Sequence, residues 1–377
     1  AQGKVFIGTN NTPPRDKRHQ GDRGVLLCLD ERDGRFLWQL VVPKLSSDPY
    51  LDWPKAGIVS PVTVDGERVY VVSNRGEVIC LDIHGQSNGN DGPYQDEAAH
   101  MTVKGEETLA VTQTDADILW LFNIPKQAGT HPHDAAHSSI LLDGDLLYIN
   151  TSNAVDNTHR HIRFPKGPSL IVLDKNTGRL LARDHEGIGP RIYHSTWSSP
   201  ALGLVNGQER IFFGGGDGVM YGFAALDSLP AAGEVKTLKR VWRFDCDPLA
   251  PKENVHQYKD RNRRAESPSN IKGMPVFHDQ RVYVAVGGDI WWGKKKAWLQ
   301  CIDASGTGDV TESGLQWSYA MDDHCCATPA VYQGMVFIAD CAGILHCVDA
   351  QSGEGLWTHQ AKGAIWASPL IADGKCY

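Results

Sequence analysis

The stretch TPAVYQGMVFIADCAGILHCVDAQSGEGLW, residues 328–357, decides the fold. Three short apolar runs, 330–332, 335–339 and 344–348, are cut by turn signals at Gln333-Gly334, Cys341-Ala342-Gly343 and Ser352-Gly353. Trp357 then opens a fourth run. Gly and Asp between short β-rich runs mark a tightly turned antiparallel meander. One meander cannot bury both faces of its sheet, so copies of it are expected elsewhere in the chain.

The copies are present. Residues 61–82 read PVTVDGERVYVVSNRGEVICLD, and residues 3–38 carry GKVFIGTNN and VLLCLDERDGRFLW. Residues 143–178 carry DGDLLYINTSN and SLIVLDKNTG, and residues 199–223 read SPALGLVNGQERIFFGGGDGVMYGF. Residues 274–317 carry MPVFHDQRVYVAVGGD and AWLQCID, and SPLIADGKCY closes the sequence at 368–377. A repeat of roughly 40 to 60 residues with four strands per unit predicts a β-propeller of antiparallel four-stranded blades. The prediction is one all-β domain over 1–377, with about six blades and insertions at 85–117 and 245–268. Residues 3–6 match a second strand, and residues 374–377 reach the same point of a later copy. The expectation is therefore either an arc cut at both ends from a larger propeller, or a six-bladed ring in which 368–372 supply the missing first strand.

Asp30 to Trp38 and Asp349 to Trp357 repeat one step. The pattern L-D-x-x-x-G-x-x-x-W resembles the tryptophan-docking repeat of the pyrroloquinoline quinone (PQQ) type propellers. That superfamily holds quinoprotein alcohol dehydrogenases and non-enzymatic relatives, including the outer-membrane assembly propeller. GDRGVLLCLD, TSNAVD, WSSPA, GGGDGVMYGF and LHCVDAQSGEGLW look most similar to uncharacterised members from planctomycete-type bacteria. The resemblance covers nearly the whole chain. It implies eight blades, which favours the arc, and export to the periplasm or cell surface behind a signal upstream of Ala1. It also implies that Trp38, Trp120, Trp242, Trp317 and Trp357 dock between adjacent blades, with Ala182 in the third copy making a weaker contact. A repeat motif records packing, whereas function resides in a site.

Thirty-nine glycines suit a turn-rich fold, and a net charge of −8 disfavours a nucleic-acid partner. No apolar run approaches a membrane span. Of nine cysteines, Cys28, Cys80, Cys301 and Cys347 share one repeat slot two residues before an Asp, which argues for a small buried residue. The adjacent Cys325-Cys326 is different. The resemblance implies a vicinal disulfide against a quinone, and two reduced thiols at a blade entry are the other reading.

Loops carry function in such a fold. Turns between second and third strands alternate between long (10–24, 153–167, 287–296) and tight (74–76, 216–218, 341–343). Three long loops are thus expected at one channel mouth, joined by the entries to the innermost strands. The candidate site there comprises Trp53, His137, His194, Trp197, His324, Cys325, Cys326 and Trp366, with His159, Trp291 and Trp292 from the long loops. Such groups suit a planar cofactor or a metal, and Asn153, Asp156, Asp289 and Asp323 are the oxygen donors expected near them. His133-Asp134-Ala135-Ala136-His137 lacks the Glu base of a helical zinc motif, and the glycines of 214–218 link two strands, so neither predicts catalysis. The basic run KDRNRR, 259–264, reads as a solvated loop or protein contact. Insertion 85–117 reads as a partner contact or a mobile loop, with a short helix near 96–101. The function expected is a non-catalytic scaffold binding a protein or small ligand through the mouth loops. The alternative is a PQQ- and Ca²⁺-dependent alcohol or sugar dehydrogenase.

Overall fold

The computed structural model describes residues 1–45 and 48–377. Antiparallel meanders dominate, and the all-β class read from the repeats holds. Two compact units divide the chain, Ala1–Ala154 with Ile171–Leu181, and Val155–Leu170 with Ala182–Tyr377. The first unit holds a sheet of Lys4–Asn10, Arg23–Asp30 and Phe36–Pro43, and another of Thr63–Asp65, Arg68–Val72, Glu77–Asp82 and Ile118–Asn123. Leu141–Asp143 and Leu146–Asn150 open a further meander. In the second unit one blade runs Ala201–Val205, Gln208–Gly214, Val219–Ala224 and Arg240–Asp245. The next runs Val276–His278, Arg281–Gly288, Ala297–Asp303 and Leu315–Met321. A third runs Ala330–Tyr332, Met335–Ala339, Ile344–Asp349 and Gly355–Gln360, and Ile371–Ala372 pairs with Lys375–Cys376.

Register explains the recurring cysteine. Cys28 lies opposite Trp38, Cys80 opposite Trp120, Cys301 opposite Trp317 and Cys347 opposite Trp357, each just before a bulge. Gly222 takes the slot opposite Trp242, where a Cβ would come within 2.6 Å of the indole. A bulky ring crossing its neighbour strand demands a small partner, and Cys is a small hydrophobe. All four cysteines are fully buried.

Each docked indole makes the same hydrogen bond. Its N–H donates to a carbonyl of the following repeat: Trp38 to Ile83 at 3.0 Å, Trp120 to Lys175 at 3.0 Å, Trp242 to Ala304 at 3.1 Å, Trp317 to Ala350 at 3.1 Å. In three of them the ring also covers a turn glycine. Gly353 has φ +76°, and a Cβ there would meet Trp317 at 2.6 Å, so the turn and the docking require the same residue. Trp357 departs from the expectation. It is 45% exposed.

The connection into an outer strand has a second use. Residues 85–117 pack back onto the first sheet. Gln39 N–H donates to Thr114 and Gln39 C=O accepts from Ala116, both at 2.9 Å, so the insertion extends the first sheet in parallel. The helix forms at Glu97–Met101, and His100 packs its Nε2 3.1 Å from the buried Glu77 carboxylate. Lys236–Thr237 adds to Ala182–Arg183, and Gly308–Asp309 adds to Trp242–Arg243, by the same parallel pairing.

Candidate ligand-binding site

The second unit gathers one polar and aromatic cluster. Arg281–Gly288 ends at Asp289, whose carboxylate accepts from the backbone N–H groups of Trp291 and Trp292, both at 3.0 Å. This side-chain-closed turn throws two indoles outward. Ser269–Asn270 pairs with Gly287 and Gly288, which brings Asn270 and Lys272 beside Asp289. Lys272 Nζ lies 2.9 Å from Asp289, and Asn270 Nδ2 3.5 Å from it. From the entry at 193–197, His194 Nδ1 donates to the same carboxylate at 3.0 Å.

Rings close over this core. The His194 ring has neighbours at 5.0 Å (His159), 5.1 Å (Trp291) and 5.2 Å (Trp197). Lys272 Nζ sits 4.3 Å from the centre of the Trp197 ring, a cation–π contact. Trp366 meets Trp291 edge to face at 6.1 Å, and His159 meets Trp292 at 5.9 Å. Beneath the outer indoles Asp289, His194 and Lys272 are buried, while Trp291 and Trp366 remain 46% and 56% exposed.

The charges follow from this packing. Burial alone would raise the Asp289 carboxyl, but Lys272 and His194 outweigh it and hold it well below the ordinary range. Burial depresses the His194 imidazole, so Asp289⁻ and Lys272⁺ are the ion pair and His194 is its neutral donor. Burial, reinforced by His194 and Lys259, pushes His159 down to about 4. Lys259, in the turn of 3₁₀ helix Val255–Lys259, is buried against the Tyr193 ring at 5.0 Å and donates to the His159 carbonyl. Burial brings its ammonium down to about 7. Within the run 259–264 Lys259 is buried, while Asp260, Arg261, Asn262 and Arg264 are exposed, and Arg264 donates to the Gly293 carbonyl at 2.6 Å and braces the indole-bearing turn.

Of the residues expected at the mouth, the second unit brings His194, Trp197 and Trp366 together with His159, Trp291 and Trp292. Lys272 and Lys259 complete the cluster and were not anticipated. A lysine two residues past an Asn, at the entry to an apolar strand, was the available signal for Lys272. Asp156 is held in its own loop by Thr158 at 2.8 Å. Asp323 accepts from Lys295 at 3.1 Å and from His324 Nδ1 at 2.7 Å. The Cys325 thiol is buried and donates to the Ala339 carbonyl at 3.2 Å, and all nine cysteines are free thiols. Trp53 and His137 belong to the first unit, where both are exposed. Trp53 N–H donates to the Asp134 carbonyl at 2.7 Å, and its ring meets Tyr50 at 5.4 Å.

A family model described as outer membrane protein assembly factor BamB matches residues 22–221 and 295–377. The chain belongs to this BamB family. No curated protein matches it in sequence. Among solved structures, a europium-containing methanol dehydrogenase superposes with a TM-score of 0.57 at 14% identity, over 98% of this chain and 69% of that one. The quinohemoprotein alcohol dehydrogenase ADHIIG from Pseudomonas putida HK5 gives 0.56 at 14% identity, over 99% of this chain. This BamB-family chain spans 60% of that protein's length. The quinohemoprotein alcohol dehydrogenase from Comamonas testosteroni gives 0.51 at 14% identity, over 93% and 67% of the two chains. At such identity the likeness shows the propeller fold of the BamB-family chain.

Proposed function

We propose that this BamB-family chain is a non-catalytic propeller scaffold that binds a protein or small ligand through the loops around Asp289. One observation carries the reading. Three indoles, Trp291, Trp292 and Trp366, are exposed directly over a buried Lys272–Asp289–His194 core. Exposed aromatic surface set over fixed polar groups is how binding sites combine affinity with orientation. The buried ammonium under the rings favours a small aromatic or anionic ligand. The family description supports export, and we place the protein in the periplasm or at the cell surface. The closer likeness to planctomycete-type members rests on the repeat segments alone.

A PQQ- and calcium-dependent dehydrogenase needs several oxygen ligands for a hard cation and a free carboxylate base. The residues of the cluster do not fit that requirement. Asp289 already accepts from one ammonium, one imidazole, one amide side chain and two backbone N–H groups. Asp323 is paired with Lys295 and His324. No reaction step is derived through the quinone.

Titration of intrinsic tryptophan fluorescence with aromatic carboxylates, and with PQQ in the presence and absence of Ca²⁺, tests the reading. Saturable quenching that is independent of Ca²⁺ and weakened at least about tenfold by Trp291→Ala is expected for a hot-spot aromatic. Binding that requires Ca²⁺ and supports dye reduction with an alcohol would establish the dehydrogenase instead.

A further inference from the structure

In the first unit two segments distant in sequence meet at one histidine. In the loop 10–24, Asn11 Nδ2 donates to the His19 carbonyl at 2.7 Å and to the Gly21 carbonyl at 3.0 Å, which fixes the chain around His19. The insertion delivers Asp115, held by the Thr112 backbone N–H at 2.8 Å and by the parallel bridge to Gln39. One ligand atom from each of Asp16, His19 and Asp115 lies within 4.8 Å of the other two. His19 is 1% exposed, and neither of its ring nitrogens has a hydrogen-bond partner among the described residues. Burying a polar group without a partner is unfavourable, so an imidazole in this position calls for a ligand. Arg18 bridges the two carboxylates, but each keeps an oxygen with lone pairs to spare. Asp16 Oδ1 accepts from the Arg18 backbone N–H at 2.9 Å and Asp115 Oδ1 from Arg18 Nη2 at 2.9 Å, and neither oxygen has a further hydrogen bond among the described residues.

We propose that Asp16, His19 and Asp115 bind one divalent transition-metal ion of the zinc class, which clips the insertion 85–117 to the loop 10–24. The site lies in the first unit and does not depend on ligand binding around Asp289. One imidazole nitrogen with two carboxylate oxygens is a zinc donor set, and the nitrogen selects against calcium and magnesium. In a tetrahedron with bonds of about 2.1 Å the ligand atoms stand about 3.4 Å apart, so the three side chains close slightly around the ion. A fourth position remains for water. Burial, with Arg18 and Arg23, outweighs the two carboxylates and lowers the His19 imidazole, so near neutral pH the ring is uncharged and able to ligate. The two carboxylates outnumber the one guanidinium that bridges them, which favours a cation. Asp16 and Arg18 are only half-buried, which gives the ion a way in.

The test titrates the full chain, freed of metal by a chelator, with zinc in a calorimeter and with cobalt(II) as a spectroscopic probe. The parent should bind one equivalent of zinc more than His19→Gln does, and the visible absorption of tetrahedral cobalt should be lost in that variant. Asp16→Asn and Asp115→Asn should each weaken zinc binding at least about tenfold, since a ligand matters no less than the groups that orient it. His84→Gln, which alters an exposed histidine of the same unit, should leave binding unchanged. Zinc should raise the melting temperature of the parent as its concentration increases, and this rise should be lost in His19→Gln. Excess calcium or magnesium should not displace the zinc. Circular dichroism checks that each variant is folded, and the half-buried Asp16 provides a second reading should His19→Gln fail to fold. The absence of zinc binding, an equal stoichiometry and melting shift in the parent and in folded His19→Gln, or an unchanged affinity in Asp16→Asn would overturn the proposal.

Discussion

Asp289 accepts from three side chains and two backbone N–H groups while lying wholly out of water. An ion buried this deeply survives only because its partners replace the lost hydration. Removing the charge leaves Lys272 buried without its counter-ion. Asp289→Ala should therefore cost about 3 to 5 kcal/mol, measured by urea unfolding near neutral pH. The sign of the pH dependence follows from the depressed carboxyl. Its stabilisation is present above the unfolded value of about 3.9 and is lost as pH falls through the folded value. Acid unfolding of the Asp289 variant should accordingly be flatter below about pH 4. Lys259 gives the opposite window. Its folded value near 7 lies below the unfolded value of about 10.4. The unfolded chain thus binds more protons between them, and stability should rise with pH across that range. Lys259→Met should remove the rise, and an unchanged slope would show that Lys259 is solvated. The aromatic half of this site was legible in the chain as tryptophans and histidines on long loops. Its ionic half was not, because a single lysine in a loop carries no periodicity and its burial depends on chain far away in sequence.

The element that repeats is the strand pair carrying Cys and Trp on opposite sides. Deleting a buried indole removes its dispersion contacts and leaves a cavity, so Trp38→Ala, Trp242→Ala and Trp317→Ala should each cost about 3 to 5 kcal/mol. Trp357→Ala should fall within about 0.5 kcal/mol of the parent, since that ring is 45% exposed. Chemical denaturation of the four variants checks both statements. Equal losses at Trp317 and Trp357 would mean that the ring contributes through its own sheet instead of through docking. The repeat was readable because one packing solution recurs: a small residue opposite the indole and a turn glycine under it. The placement of 85–117 was not readable, because its parallel edge pairing through Asp115 to Gln39 follows no local pattern. Arg18 adds to that placement by bridging Asp16 at 2.6 Å and Asp115 at 2.9 Å, a contact between segments with no shared spacing.

At the scale of the molecule, nine thiols must coexist in a protein that we propose is exported to an oxidising compartment. The repeat solves most of this geometrically. Cys28, Cys80, Cys301 and Cys347 each face their own indole across a strand pair, fully buried, with no second thiol in that slot. Burial raises the first two to about 12 and Cys301 to about 11. The thiolate is the reactive form, so these groups are inert while the blades stay closed. Cys246 and Cys325 are also buried, Cys326 and Cys341 are half-buried, and Cys376 is exposed. A short pulse of N-ethylmaleimide on the reduced native protein should therefore label Cys376 first and the half-buried Cys326 and Cys341 next. The six buried thiols should react only at the rate at which their blades open, accelerating together with added urea. Site-resolved mass spectrometry after the pulse provides the measurement. Rapid labelling of Cys28 or Cys301 in the absence of denaturant would show that the slot opposite the indole is open to solvent. The shared packing rule for cysteine and tryptophan would then fail.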